Sequence, residues 1–279
     1  MSAEAEKPPA RPYDLATAEH DQPEWFGPPR RTILLCSHPR SGSTMLGEAL
    51  HFAGGLGCPL EYFHRGFRPS FERRWGIEGI EQLVASVHRH RTGPNGVLGV
   101  KLFWQDLEEI VAERVPGRFP PVREWPNDLS SETYRALWAA VADIFPSPDF
   151  ILLERLDRVR QAASALAAMH SGQWRMIPGA EMPATGAPHY DYERMAAQFG
   201  LADYARHHWR RLFDAIGAEP VVLTYEALDR DYEGSVAALL RALGSDAAVP
   251  PRRMERQSDA VTEGFVLRFL RDGSSRGAS

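Results

Sequence analysis

The stretch that most constrains the fold begins with the apolar run Thr32-Ile33-Leu34-Leu35-Cys36. It passes through Ser37-His38-Pro39-Arg40-Ser41-Gly42-Ser43-Thr44 and continues into the helix-forming Met45-Leu46-Gly47-Glu48-Ala49-Leu50. A buried strand that turns into a helix through a small, hydroxyl-rich loop aims the unpaired amides of the helix N-terminus at one spot. Those amides and the helix dipole favour an anion there. Gly42 lets the backbone approach closely, Ser41, Ser43 and Thr44 add hydroxyl donors, and Arg40 adds a cation. The plain alternative for this loop taken alone is a Ser/Gly turn capping an ordinary helix.

The loop departs from the ATP-binding pattern G-x-x-x-x-G-K-[ST]. It has no first glycine, and Gly42 rather than a lysine precedes Ser43. With a net charge of −5, nucleic acid is not held by bulk electrostatics, so an anion must be met by a local pocket. The two cysteines, Cys36 and Cys58, form neither a disulfide framework nor a metal site and are expected to stay thiols. No carboxylate or Cys/His cluster has metal-ligand spacing, so no metal is expected. Without a transmembrane run or a secretory signal, a cytoplasmic location is expected. Lys7 and Lys101 are the only lysines in a chain whose other cations are arginine, which singles out Lys101 as a compact ammonium.

Residues 1–30 are rich in proline and poor in aliphatics and read as a disordered tail. A single domain is expected over 31–271, with a short disordered tail over 272–279. Strands are predicted at 32–36, 97–103, 150–153 and 220–224, and helices at 80–90, 131–144, 157–169, 190–216, 232–243 and 261–270. The helix at 190–216 carries a break expected near Gly200. Residues 115–130 read as an irregular, proline-rich insertion, and Gly172 to His189 as a long loop of the kind that forms lids or binding walls. Short apolar strands alternating with helices predict an α/β fold. Its mainly parallel sheet is P-loop-like, flanked by helices on both faces, with ligands at the carboxyl ends of the strands.

Separate segments, in order along the chain, resemble the trehalose 2-sulfotransferase family. They are Arg40-Ser41-Gly42-Ser43-Thr44; Pro59-Leu60-Glu61-Tyr62-Phe63; Pro94-Asn95-Gly96-Val97 with Gly99 and Lys101-Leu102; and Arg155-Leu156-Asp157 leading to Gln161-Ala162-Ala163-Ser164. Trp174-Arg175 and Glu255-Arg256-Gln257 follow downstream. The resemblance implies a sulfotransferase fold and a homodimer. It also implies a sulfuryl donor, 3′-phosphoadenosine-5′-phosphosulfate (PAPS), and an acceptor hydroxyl on a carbohydrate or a glycosylated or other secondary metabolite. Arg40 to Thr44 would take the 5′-phosphosulfate, while Arg155, Ser164 and Arg256 complete the donor site at the 3′-phosphate end. Glu61 would be the general base, desolvated by the rings of Tyr62 and Phe63, and Lys101 would reach the transferring sulfonate or the acceptor.

Each role has a plainer alternative. Arg155 could pair with Asp157 and leave Ser164 on a helix face, Glu61 could sit on a solvated loop, and Lys101 could pair with Asp106 or Glu108. His64, next to the base segment, has a place at the acceptor site, whereas His88, His90, His207 and His208 read as surface or packing residues. Trp174, Trp104 and Phe63 could wall a sugar ring, although buried aromatics are more often core. Two other functions compete with sulfuryl transfer: an ATP-dependent small-molecule kinase with an aberrant loop, and a PAPS-binding protein without turnover.

Overall fold

Continuous apolar runs suit strands buried on both faces, and that is how the first two are placed. The computed structural model describes residues 13–174, 185–254 and 260–276. Its elements begin with β1 (Arg31–Ser37), α1 (Ser43–Ala53), α2 (Arg68–Trp75), α3 (Ile80–Arg91), β2 (Val97–Phe103), α4 (Trp104–Arg114) and α5 (Ser131–Ala139). They continue with β3 (Pro148–Glu154), α6 (Arg158–Ser171), α7 (Tyr192–Ile216), β4 (Val221–Thr224), α8 (Tyr225–Arg230), α9 (Tyr232–Ala242) and α10 (Ala260–Arg276). The strands form one sheet in the order β2-β1-β3-β4, every pairing parallel.

Alternate residues of the strands feed two cores. Leu34, Cys36, Leu98, Val100, Leu102, Phe150 and Leu152 pack with α3, α4, α5 and α7, while Ile33, Leu35, Ile151 and Leu153 pack with α1 and α9. The α/β architecture with helices on both faces is therefore as expected. From β1 the chain moves outward to β2 and then returns to the other side of β1 for β3. The crevice between the carboxyl ends of β1 and β3 is thus the topological switch point, where parallel sheets bind ligands.

Several expectations need correction. Residues 13–30 do not behave as a tail. The guanidinium of Arg91, fully buried between the rings of Tyr62 and Phe71, donates to the carbonyls of Leu15, Ala16, Thr17 and His20 and pairs with Asp21 at 3.0 Å. One arginine on α3 thereby supplies the hydrogen bonds that a proline-rich segment cannot make with itself. Helix α5 stops at Ala139, and residues 140–147 follow as turns before β3. Helix α7 runs unbroken through Gly200, a cost of about 1 kcal/mol relative to alanine that its packing on α5 and α6 absorbs. Helix α10 continues past 271 to Arg276. Helices α2, α4 and α8 are additional to those expected. Cys36 and Cys58 are buried free thiols. Among the described residues, no helix is long and apolar enough to cross a membrane.

Candidate active site

The loop after β1 reaches α1 through two residues with positive φ, Arg40 (65°) and Gly42 (83°). Gly42 caps α1 without a side-chain hydrogen bond. A Cβ on Gly42 would come within 2.8 Å of the Tyr225 ring, so only glycine fits between the loop and α8. The Ser41 hydroxyl is buried and, among the described residues, has no hydrogen-bond partner. Ser43 and Thr44 form the first turn of α1. These features fit an anion at the helix N-terminus.

Across the crevice, Arg155 follows β3 and Ser164 lies on α6. Arg155 donates Nη1 to the carbonyl of Arg40 at 3.0 Å, and its guanidinium lies 4.5 Å from the Tyr225 ring centre. Arg40 Nε donates to Ser164 Oγ at 2.9 Å, and Arg40 Nη1 donates to the carbonyl of Trp174. The residues expected at opposite ends of the donor are thus brought together, with Arg40 spanning from one set to the other. Burial, reinforced by the neighbouring charge of Arg155, lowers the Arg40 pKa to about 10. Two cations thus stand side by side at the N-terminus of α1.

Asp157 is not the dedicated partner of Arg155. Its carboxylate caps α6, accepting the Arg160 amide at 2.9 Å, and pairs with the Arg160 side chain. The turn that carries Arg155 is clamped instead by Glu226, which accepts the amides of Leu156 and Asp157 at 3.0 to 3.1 Å. Gln161 ties α6 to the loop by donating to the carbonyl of Pro39 at 2.8 Å. Sequence reasoning missed Tyr225 and Glu226. The available signal was their position directly after the last strand, at the same carboxyl edge as the two loops.

Glu61 and Lys101 form the other half of the site. Leu60 makes a parallel bridge to Val100, and its carbonyl accepts the Lys101 amide at 3.0 Å. That rung sets Glu61 beside the end of β2. The approach requires Gly57, where a Cβ would sit 2.2 Å from the Gly99 amide nitrogen. Lys101 Nζ lies 2.8 Å from Glu61 Oε1 and donates to Thr44 Oγ1 at 3.1 Å. The lysine side chain is 2% exposed and the glutamate 12%, so water still reaches the carboxylate. Lys101 therefore pairs with neither Asp106 nor Glu108. Asp106 accepts the Phe103 amide at the start of α4, and Glu108 accepts from Trp104, Tyr204 and the Arg123 amide.

Tyr62 and Phe63, the rings that follow Glu61, are buried members of the core. Trp104 is also core, which leaves Trp174, 49% exposed, as the one member of the expected aromatic wall at the surface. His64 stands near Glu61; its Nδ1 accepts the Gly66 amide at 3.1 Å, and burial lowers its pKa. The neutral ring then carries its proton on Nε2 and presents a donor. His88, His207 and His208 bond to the Ile144 carbonyl, the Asn127 carbonyl and the Tyr134 hydroxyl, and His90 stacks on Trp75, all packing roles. Arg256, Arg175 and most of the expected lid, residues 175–184, lie outside the described residues.

Residues 32–272 match the family described as Stf0 sulphotransferase. A trehalose 2-sulfotransferase of Mycolicibacterium smegmatis is 29% identical, over 88% of this chain and 96% of that protein. A trehalose 2-sulfotransferase of Mycobacterium tuberculosis is 28% identical, over 86% of this chain and 94% of that protein. Among solved structures, the sulfotransferase domain of a Synechococcus olefin synthase is 15% identical over 89% of this chain and 98% of that one, with a TM-score of 0.32.

Proposed function

The chain belongs to the Stf0 sulphotransferase family and is a sulfotransferase, and from that premise we propose that it moves a sulfuryl group from PAPS to a hydroxyl of a carbohydrate or glycosylated metabolite. The observation that carries the donor assignment is the pair of cations, Arg40 and Arg155, converging with Ser164 beside the uncapped N-terminus of α1. PAPS bears a charge at its 5′-phosphosulfate and another at its 3′-phosphate, and it supplies an already activated sulfuryl group. The amides of α1, Ser43 and Arg40 would hold the first, and Arg155 and Ser164 the second, with Arg256 a further proposed contact. Trehalose, the sugar in the names of the two relatives, is the first acceptor to try.

In the proposed reaction Glu61 removes the proton of the acceptor hydroxyl as its oxygen bonds to sulfur. The bond from sulfur to the 5′-phosphate oxygen breaks, and its electron pair leaves with adenosine 3′,5′-bisphosphate. Lys101 holds Glu61 Oε1, and the proton would go to the other carboxylate oxygen. The same ammonium reaches Thr44 on α1, so one buried cation joins the base to the donor loop.

The donor assignment is tested by calorimetry with adenosine 3′,5′-bisphosphate and AMP. The bisphosphate should bind much more tightly. Arg155→Ala should remove most of the difference, since a hydrogen bond to a charged group contributes about 1.5–3 kcal/mol, or roughly tenfold to a hundredfold. Equal affinities in the unaltered protein would refute the assignment.

A further inference from the structure

We infer that Glu226 is a positioning residue for the donor: by holding the turn before α6 it keeps Arg155 where the 3′-phosphate is met, and so sets the preference for a 3′-phosphorylated nucleotide. This rests on the donor assignment above and adds a residue that acts through Arg155 rather than on the donor itself.

Arg155 has to be held from both sides along the chain. On its N-terminal side Glu154 is in register with Thr224 in the sheet, and its carboxylate accepts Arg210 Nε and Nη2 at 2.9 and 2.6 Å. On its C-terminal side the turn has no comparable support from packing, because Leu156 is 61% exposed. An apolar side chain left in water contributes no burial that would fix its backbone. What holds the turn is Glu226. Its Oε1 accepts the Leu156 amide at 3.1 Å and the Asp157 amide at 3.0 Å, and its Oε2 also accepts the Leu156 amide at 3.1 Å. Bonds to a charged acceptor are the strong ones. Asp157 then caps α6, the helix that carries Ser164, so the same clamp orients both residues proposed for the 3′-phosphate.

The clamp is anchored to the fold independently of any ligand. The register of β3 on β4 sets the two strand ends side by side, so Tyr225 and Glu226 emerge next to Arg155 and Leu156. Thr224 Oγ1 caps α8 by accepting the Ala227 amide at 3.2 Å, and Leu228 is fully buried in the core shared with α1 and α9. Tyr225 meets both donor loops. Its ring faces the Arg155 guanidinium at 4.5 Å and fills the space that a Cβ on Gly42 would need. The short helix α8 therefore fixes the separation between the N-terminus of α1 and Arg155.

A carboxylate near a phosphate site repels the ligand, so the charge of Glu226 alone would weaken donor binding. Its value lies in the amides it accepts. They stand at the entry to α6, where the helix dipole favours a carboxylate and where backbone donors need a partner. The entry to α6 is thus closed by Glu226 and Asp157, whereas α1 begins at Gly42 with no side-chain cap. Of the two helix N-termini at the crevice, the one at α1 is left to the donor.

The test is calorimetry of the full chain with adenosine 3′,5′-bisphosphate and with AMP, read as the ratio of the two affinities. Glu226→Ala should lower that ratio about tenfold, the low end expected for losing Arg155 itself, while AMP affinity stays within about threefold. Glu226→Asp keeps the charge but falls one methylene short of the amides. It should lower the ratio to a similar extent, and it carries the same test should the alanine variant not fold. Glu226→Gln keeps an oxygen at the Oε1 position, which reaches both amides, and should hold the ratio within about threefold of the unaltered protein. Adding Glu226→Ala to Arg155→Ala should lower the ratio no further, since the one residue acts through the other. In the unaltered protein the amides of Leu156 and Asp157 should exchange hydrogen slowly.

A ratio unchanged in Glu226→Ala and Glu226→Asp would overturn the inference, as would rapid exchange of the two amides. Equal losses of AMP and bisphosphate affinity would also overturn it, by making Glu226 a merely structural residue. So would a ratio that Glu226→Asp preserves and Glu226→Gln loses, because charge and not reach would then matter. Equal affinities in the unaltered protein refute the donor assignment and this inference with it. A preference that survives Glu226→Ala sinks this inference alone.

Discussion

Glu61→Gln is expected to lower turnover by about 10²- to 10⁴-fold, the usual share of a general base, while bisphosphate affinity stays within about threefold. The carboxamide keeps the size of the side chain, and its oxygen can still accept from Lys101 Nζ, which lies 2.8 Å from Oε1 in the native protein. What it loses is the ability to accept the acceptor's proton. Donor affinity should barely change, because the described residues proposed to hold the donor lie on the loop after β1, the first turn of α1, the β3–α6 turn and α6. Near-normal turnover would move the base elsewhere. His64 is the nearest candidate, although its Nδ1 is already occupied by the Gly66 amide. Loss of donor binding in proportion to turnover would make Glu61 a structural residue.

Lys101→Met should have an effect of similar size with a different signature. The methionine side chain matches the length of the buried aliphatic stem but removes the ammonium that joins Thr44 to Glu61. Turnover should fall by about 10²- to 10³-fold through loss of electrostatic stabilisation. Removing one member of a buried pair costs up to about 3–5 kcal/mol of stability, and the penalty here should be smaller because Glu61 retains some exposure to water. Lys101→Arg should not rescue, since a planar fork does not fit where Lys101 is 1% exposed. The decisive readout is the double variant Lys101→Met/Glu61→Gln. If the two residues act as a unit, its turnover will be close to that of the worse single variant, whereas multiplicative losses would separate their roles.

The parts of this molecule that sequence discloses are those whose physics is local. Val97–Phe103 is a strand because an apolar run is bounded by a turn at Asn95-Gly96, and the loop from Arg40 to Thr44 carries its own chemistry in its residue types. Arg155, Ser164, Glu61 and Lys101 were identifiable as candidates, but their partners were not. The Glu61–Lys101 pair depends on a backbone rung between Leu60 and Val100, and the clamp of Glu226 on Leu156 and Asp157 joins residues 70 and 69 positions apart. The order imposed on residues 13–30 was hidden for the same reason. It resides in Arg91, a residue that looks like any helix-surface cation until the fold closes over it.

The central claim is that this site transfers a sulfuryl group from PAPS, and label transfer tests it most directly. The purified chain is supplied with a mixture of sugars and sugar phosphates, once with PAPS labelled in its sulfonate and once with ATP and Mg²⁺ labelled in the γ-phosphate. The account predicts sulfonate label on a sugar product, one adenosine 3′,5′-bisphosphate released for each label transferred, and no phosphate label on any sugar. Phosphate transfer from ATP, or bisphosphate binding no tighter than AMP with no sulfonate transfer, would contradict it.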